Sequence, residues 1–199
     1  MYTVLEQTAE RIGFLKKAFP VFAEHGLENT TIRMLCRETG TVQGTLYYWF
    51  DDKTSIVCDA ARYGMKVITD GIFKYISANK NDLNSLCYDF LEEVSRYKKE
   101  LRFVYQVAAS PVYGEKIREA KKELSHIYYK YVCRLSERIN CDEQMLKSVF
   151  DLFISAAVNC VIWDEKEKTQ MQLDFIYGIL PKLMKANRKA RDEKRLNKA

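Results

Sequence analysis

The sequence predicts an all-helical protein, and three observations carry that prediction. Only 8 glycines and 3 prolines interrupt 199 residues, too few turn-formers for a many-stranded β architecture. Apolar residues recur at three- and four-residue intervals along most of the chain, which places them on one face of a helix. Hydrophobic residues make up 47% and charged residues 30%, enough apolar material for a substantial core and little room for long disorder.

Taken in order, the first helix runs from Val4 to Glu24 with Ile12, Leu15, Phe19 and Phe22 on one face. Gly26 supplies a left-handed stop, and Pro20 should bend the helix or disturb a backbone hydrogen bond. Thr30 is the expected N-cap of a short helix from Thr31 to about Thr39, a cap typically worth about 1 kcal/mol over alanine. Gly40 makes a tight turn into a second short helix from Val42 to Trp49. Asp51 or Asp52 then caps a long helix whose face includes Ile56, Ala60, Met65, Ile68, Ile72 and Ile76. Asn79 to Asp82 is the best boundary. Five helices follow, near 82–97, 99–109, 111–139, 142–164 and 167–188, with breaks at Pro111 and at Asn140 to Asp142 and a kink at Pro181. The expected organisation is a helix-turn-helix domain over 1–50, a connecting helix over 51–78, a larger helical ligand-binding and dimerisation domain over 79–188, and a basic tail over 189–199.

The formal charge of +5 does not mark a nucleic-acid face, because of where it sits. From Lys182 onward eight basic residues face only Asp192 and Glu193, a net +6, so the remaining 181 residues carry −1. That tail extends the last helix, moves in solvent, or touches phosphates loosely, and charge runs usually serve solubility. The 6 cysteines form no C-x-x-C pair and read as reduced core thiols. Met1 to Glu10 lacks the basic-then-apolar pattern of a secretory signal. The most apolar stretch, Leu152 to Trp163, is too short to span a bilayer. A cytoplasmic protein without a membrane partner is expected.

Thr30 to Tyr48 has the dimensions of a helix-turn-helix. Leu35, Leu46 and Phe50 would form its internal core. Gln43, Thr45, Tyr47 and Tyr48 would point outward or sideways from a helix suited to the major groove. From about Arg11 to Lys53 the chain resembles the N-terminal region of TetR-family transcriptional regulators. The likeness rests on Phe22-Ala23-Glu24-His25-Gly26, Thr30-Thr31-Ile32, Gly44-Thr45-Leu46-Tyr47-Tyr48-Trp49-Phe50 and Lys53. The rest of the chain matches that family only in length and helical content.

Several roles are implied by the resemblance. Thr31 would meet phosphate, and Arg33 phosphate or a base. Thr45 and Tyr47 resemble the family's hydroxyl anchors, joined by Tyr48, and Lys53 resembles its phosphate-binding lysine. Gly44 belongs to the same element. Gln43, at the exposed start of the recognition helix, could pair its amide with adenine. Two departures bear on this. Thr41-Val42-Gln43 stands where the family has Val-Ser-Lys, and Val42 cannot cap a helix. Residues 30–53 also carry as many acidic as basic side chains, so non-specific DNA affinity should be modest.

The resemblance further implies a ligand-responsive repressor that binds a pseudo-palindromic double-stranded operator as a homodimer and answers a small-molecule effector. Val149, Leu152, Phe153, Ala156 and Cys160 form one apolar stripe, and Leu173, Ile176, Leu180 and Met184 another. They make either a dimer seam or an intrachain core. Tyr88, Tyr105, Tyr128, Asp151, Asn159 and Trp163 are candidate ligand contacts for an aromatic or amphipathic effector, with His126 as a further one. The polar stripe Ser148, Asp151, Ser155 and Asn159 faces a pocket, a dimer seam or water. No cofactor is expected. Glu123 and His126 form E-x-x-H, but a di-iron bundle needs a second such pair, and His25 is the only other histidine. The sequence holds no phosphate-cradling glycine loop or nucleophile elbow. An enzyme is therefore not expected. The alternative to a regulator is a helical protein-interaction module derived from one, without specific DNA binding.

Overall fold

A computed structural model describes residues 9–78, 91–139 and 141–196, and the described residues are helices joined by short turns. In order they are α1 (Ala9–Asn29), α2 (Ile32–Thr39), α3 (Gln43–Trp49), α4 (Lys53–Ala78), α5 (Lys98–Ala109), α6 (Gly114–Ile139), α7 (Glu143–Trp163) and α8 (Lys166–Leu196), with residues 91–96 helical ahead of α5. Tyr88 lies outside the described residues, as do the side chains of Ile76, Glu123, His126, Leu180 and Met184. The chain packs as two compact units. One comprises Met1–Thr69 with Tyr97–Leu124, the other Asp70–Arg96 with Ser125–Ala199.

In the first unit α1 buries Phe14, Leu15, Ala18, Phe19, Phe22 and Leu27. Phe22 lies flat on Phe103 of α5, with ring centroids 5.0 Å apart and planes 13° apart, and Phe19 meets the same ring at 6.0 Å. Burying a side chain of this size contributes about 1.5–3 kcal/mol, so α5 is held to α1 chiefly by these rings. α1 runs unbroken through Pro20 and leaves helical geometry only at Gly26, at φ 78 and ψ 169. The stop expected at Gly26 is present, but one more short helical turn follows it.

Two capping assignments are refined. Thr31, not Thr30, caps α2, its hydroxyl accepting from the Met34 N–H at 3.2 Å. Thr30 is buried and donates its hydroxyl to the Gly26 carbonyl at 2.7 Å. At the start of α4, Asp52 is the cap. Its carboxylate accepts from the Ser55 N–H at 2.7 Å, and Ser55 Oγ accepts from the Asp52 N–H at 3.2 Å, a reciprocal arrangement that satisfies two helix-end donors. Ile56, Ala60, Ile68 and Ile72 of α4 are buried as their spacing predicts, while Met65 is only half-buried.

In the second unit Phe73 stacks with Tyr128 at 5.8 Å and Tyr131 at 5.2 Å, and tilts against Phe150 at 5.5 Å. α7 starts at Asp142, whose carboxylate accepts from the Met145 N–H at 3.0 Å, and packs along α8. By length and composition α7 is apolar enough to cross a membrane. It is longer than the Leu152 to Trp163 stretch on which the sequence-based exclusion rested. The reason for that apolarity lies in the unit itself, where Leu146, Val149, Phe150, Phe153, Ala156, Ala157, Cys160 and Val161 are buried. The two apolar stripes, where described, are largely intrachain core: Val149, Phe153, Ala156, Cys160, Leu173 and Ile176 are all buried within one chain. Leu152 is the exception among the stripe residues and stays exposed, as do Trp163, Met171 and Phe175 outside the stripes. α8 continues helically through Pro181 to Leu196, so much of the basic tail extends the last helix.

Candidate nucleic-acid interface

The helix-turn-helix is built by apolar anchors on one side and a glycine turn. Leu35, Leu46 and Phe50 are buried, as the spacing predicts for the core of the motif. Phe14 of α1 packs on Phe50 at 5.5 Å and on Trp49 at 6.1 Å. Arg11 lies over the Phe50 ring at 4.6 Å and pairs with Asp59, fastening the end of α3 to α1 and α4. Gly40 takes the left-handed conformation at φ 71 and ψ 21, and its N–H returns to the Cys36 carbonyl. Lys17 donates to the Thr39 carbonyl at 3.0 Å, placing a cation at the negative end of α2.

With its anchors turned inward, α3 carries the remaining residues outward. Gln43, Gly44, Tyr47 and Tyr48 are exposed, Tyr48 to 86%. Thr45 and Lys53 are half-buried, and Thr31 and Arg33 are exposed on α2. All eight residues singled out for DNA contact are therefore at least partly accessible. A Cβ on Gly44 would meet nothing within 4 Å, so nothing in the chain itself calls for glycine there. A backbone pressed against α3 from outside would. Val42 precedes the helix in extended conformation without a side-chain cap, as expected, and is 69% exposed. Arg37 is paired with Glu38 at 2.8 Å, which leaves the charge of this face close to balance.

Two contributions to the interface were not legible in the sequence. Arg11 lies some forty residues before the residues it braces. Gln106 of α5 accepts a hydrogen bond from the Leu27 N–H at 3.2 Å, and no local pattern pairs residues 79 positions apart.

Residues 14–59 match the model of bacterial regulatory proteins of the tetR family, a span that covers most of α1, both helices of the motif and the start of α4. The N-terminal helix-turn-helix domain is thus of the TetR type. The HTH-type transcriptional repressor AcnR of Corynebacterium glutamicum is 31% identical over 100 residues, covering 48% of this chain and 52% of that protein. AcnR of Corynebacterium efficiens is 32% identical over 93 residues, or 44% and 48%. The matched region is thus about half the length of these curated relatives. Among solved structures, reduced E. coli NemR superposes with a TM-score of 0.59 at 10% identity, covering 84% of this chain and 95% of that one. A TetR transcription regulator from Haloarcula marismortui gives 0.58 at 13%, covering 90% and 99%. Through nearly their whole length these structures share the fold of this chain.

The candidate ligand contacts are distributed differently. Tyr105 is half-buried in the first unit, and burial pushes its hydroxyl pKa up. In the second unit Tyr128 donates to Asp151 at 3.5 Å, a long bond, and its pKa is raised first by burial and then by the Asp151 charge. Asn159 and Trp163 are exposed. The polar stripe on α7 is exposed throughout, with Ser148 and Ser155 bonded back to carbonyls of their own helix at 3.0 and 2.8 Å.

Proposed function

We propose that this protein is a cytoplasmic transcriptional repressor of the TetR family that binds a pseudo-palindromic operator in double-stranded DNA as a homodimer and releases it on binding a small amphipathic or aromatic effector. One observation carries the DNA reading. α3 is fastened from behind by Leu46 and Phe50 while Gln43, Gly44, Tyr47 and Tyr48 face out, the presentation a recognition helix needs in a major groove about 12 Å wide. In this reading Thr31, Arg33, Thr45, Tyr47, Tyr48 and Lys53 position the protein on phosphate and sugar. Gln43 pairs with adenine, and Gly44 lets the backbone come close. The repressor part of this reading is supported by the two curated relatives, both named as repressors.

Two recognition helices must reach successive major grooves about 34–36 Å apart, which calls for a second copy. Leu152, Trp163, Met171 and Phe175 give α7 and α8 an apolar face that the single chain leaves exposed. Against its copy, that face closes a four-helix bundle. The effector contacts proposed are Tyr128, Asp151 and Asn159 of the second unit, an aromatic ring with polar groups on the neighbouring helix.

Selection from a random duplex library with the purified protein tests the reading. The expected product is an inverted repeat, bound more tightly than shuffled duplex. Retention of no sequence above background would leave the chain an interaction module without DNA binding, an outcome that the near-neutral motif makes worth distinguishing.

A further inference from the structure

The break in α1 strands backbone groups that the helix ladder cannot satisfy, and three side chains take them up. At Gly26 the backbone turns to φ 78 and ψ 169, so the Leu27 N–H is turned away from the carbonyl one turn earlier. Gln106 Oε1 on α5 accepts that N–H at 3.2 Å. The Gly26 carbonyl accepts from the Thr30 hydroxyl at 2.7 Å, and the Leu27 carbonyl from the Lys53 ammonium at 3.4 Å. Leu27 is buried, and α2 begins five residues later, at Ile32. Gln106 shares a face of α5 with Phe103, which stacks on Phe22, and Lys99, which pairs with Glu24 at 2.6 Å. Its amide is therefore delivered by a helix already fixed to α1.

We infer that Gln106 is a positioning residue for DNA reading, holding the Gly26–Leu27 break in the geometry that presents α2 and α3. The inference rests on the DNA-binding reading above. The bond is part-buried, with Gln106 itself exposed, and an N–H left there without an acceptor is costly, so without Gln106 the break relaxes toward conformations in which Leu27 N–H reaches water. The helix pair that starts beyond it then occupies its reading position for a smaller fraction of the time, and apparent affinity falls with that fraction. The other two carbonyl contacts cannot compensate, because both supply donors and the orphaned group is itself a donor.

Gln106→Leu removes the acceptor at similar size, and Gln106→Glu keeps one. On the duplex selected by the wild-type chain, Q106L should bind about 3- to 10-fold more weakly, the range of one lost hydrogen bond, while Q106E stays near wild type. The Leu27 amide should exchange with solvent faster in Q106L and stay protected in Q106E, a readout that needs no DNA. Equal affinities for Q106L and wild type would overturn the inference and leave the DNA reading standing. Equal losses in Q106L and Q106E would also overturn it, since helix packing rather than the acceptor would then be at work. A wild-type chain that selects no sequence removes the DNA reading, and this inference with it.

Discussion

Val42 stands where a helix start usually has a hydroxyl or carboxylate, and its consequences can be measured directly. It is exposed and its side chain accepts nothing from α3, so replacing that side chain should cost no packing. Val42→Ser should stabilise the folded chain by about 0.5–2 kcal/mol, the worth of an N-cap, read as a raised denaturation midpoint with unchanged slope. No gain would mean that α3 starts elsewhere. Gln43 and Tyr47 separate by what they contact. Tyr47→Ala should weaken binding to all duplexes alike, and Gln43→Ala should relax preference at one base position. Equal losses for Gln43→Ala on selected and random duplex would remove Gln43 as a base reader. A titration reports on the contact between α1 and α5. The hydrogen bond from Lys99, and then its charge, hold the Glu24 carboxyl below its ordinary pKa. The depressed value means the pair helps the fold above the unfolded glutamate pKa and stops helping as pH falls through the folded one. Followed by NMR, Glu24 should titrate below an unpaired glutamate and return to the ordinary range in Lys99→Met. An unchanged midpoint would show that the pair does not persist in solution.

At the scale of elements, legibility follows the range of the interaction. The cap-turn-cap grammar of α2 and α3 is local. Gly40, the buried Leu35, Leu46 and Phe50, and the uncapped Val42 were all readable, and the N-cap of α2 was missed by one residue because Thr30 and Thr31 offer the same hydroxyl. What joins distant segments was not readable. The stacking of Phe103 on Phe22 and the bond from Leu27 to Gln106 bring α5 into the same unit as the helix-turn-helix, and no periodicity announces that. The stripes on α7 and α8 show the limit of pattern reading. Spacing found two apolar faces, but a face buried against a neighbouring helix and one buried against a second copy have the same spacing. The approach of α4 to α1 gives a test at this scale. A Cβ on Gly64 would overlap the Phe19 ring, which is itself buried. Gly64→Ala should therefore destabilise by about 1–3 kcal/mol through overpacking. That outweighs the gain of up to about 1 kcal/mol that alanine brings to a helix interior. A stabilised variant would mean that Phe19 can move aside.

For the molecule as a whole, the decisive property is whether function resides in one chain or two. α7 buries most of its apolar residues and α8 buries Leu173 and Ile176, yet the two helices keep Leu152, Trp163, Met171 and Phe175 in water. Four large apolar side chains on two neighbouring helices are a poor surface for a monomer and a reasonable centre for an interface. Leu152 and Phe175 are exposed, so a charge placed on either should leave the single-chain core intact, whereas in a symmetric seam it would meet its own copy across the two-fold axis. Leu152→Glu and Phe175→Glu should thus convert a dimer to a folded monomer in sedimentation equilibrium, with the helical circular dichroism retained. Because one recognition helix then has to hold a half-site alone, affinity for the selected inverted repeat should drop by at least about 100-fold, the low end of the gain from linking two sites. Affinity for an isolated half-site should barely change. A chain that sediments as a dimer with both substitutions would place the seam elsewhere. A wild-type chain that is monomeric at the concentrations where it binds the repeat would end the requirement for a seam.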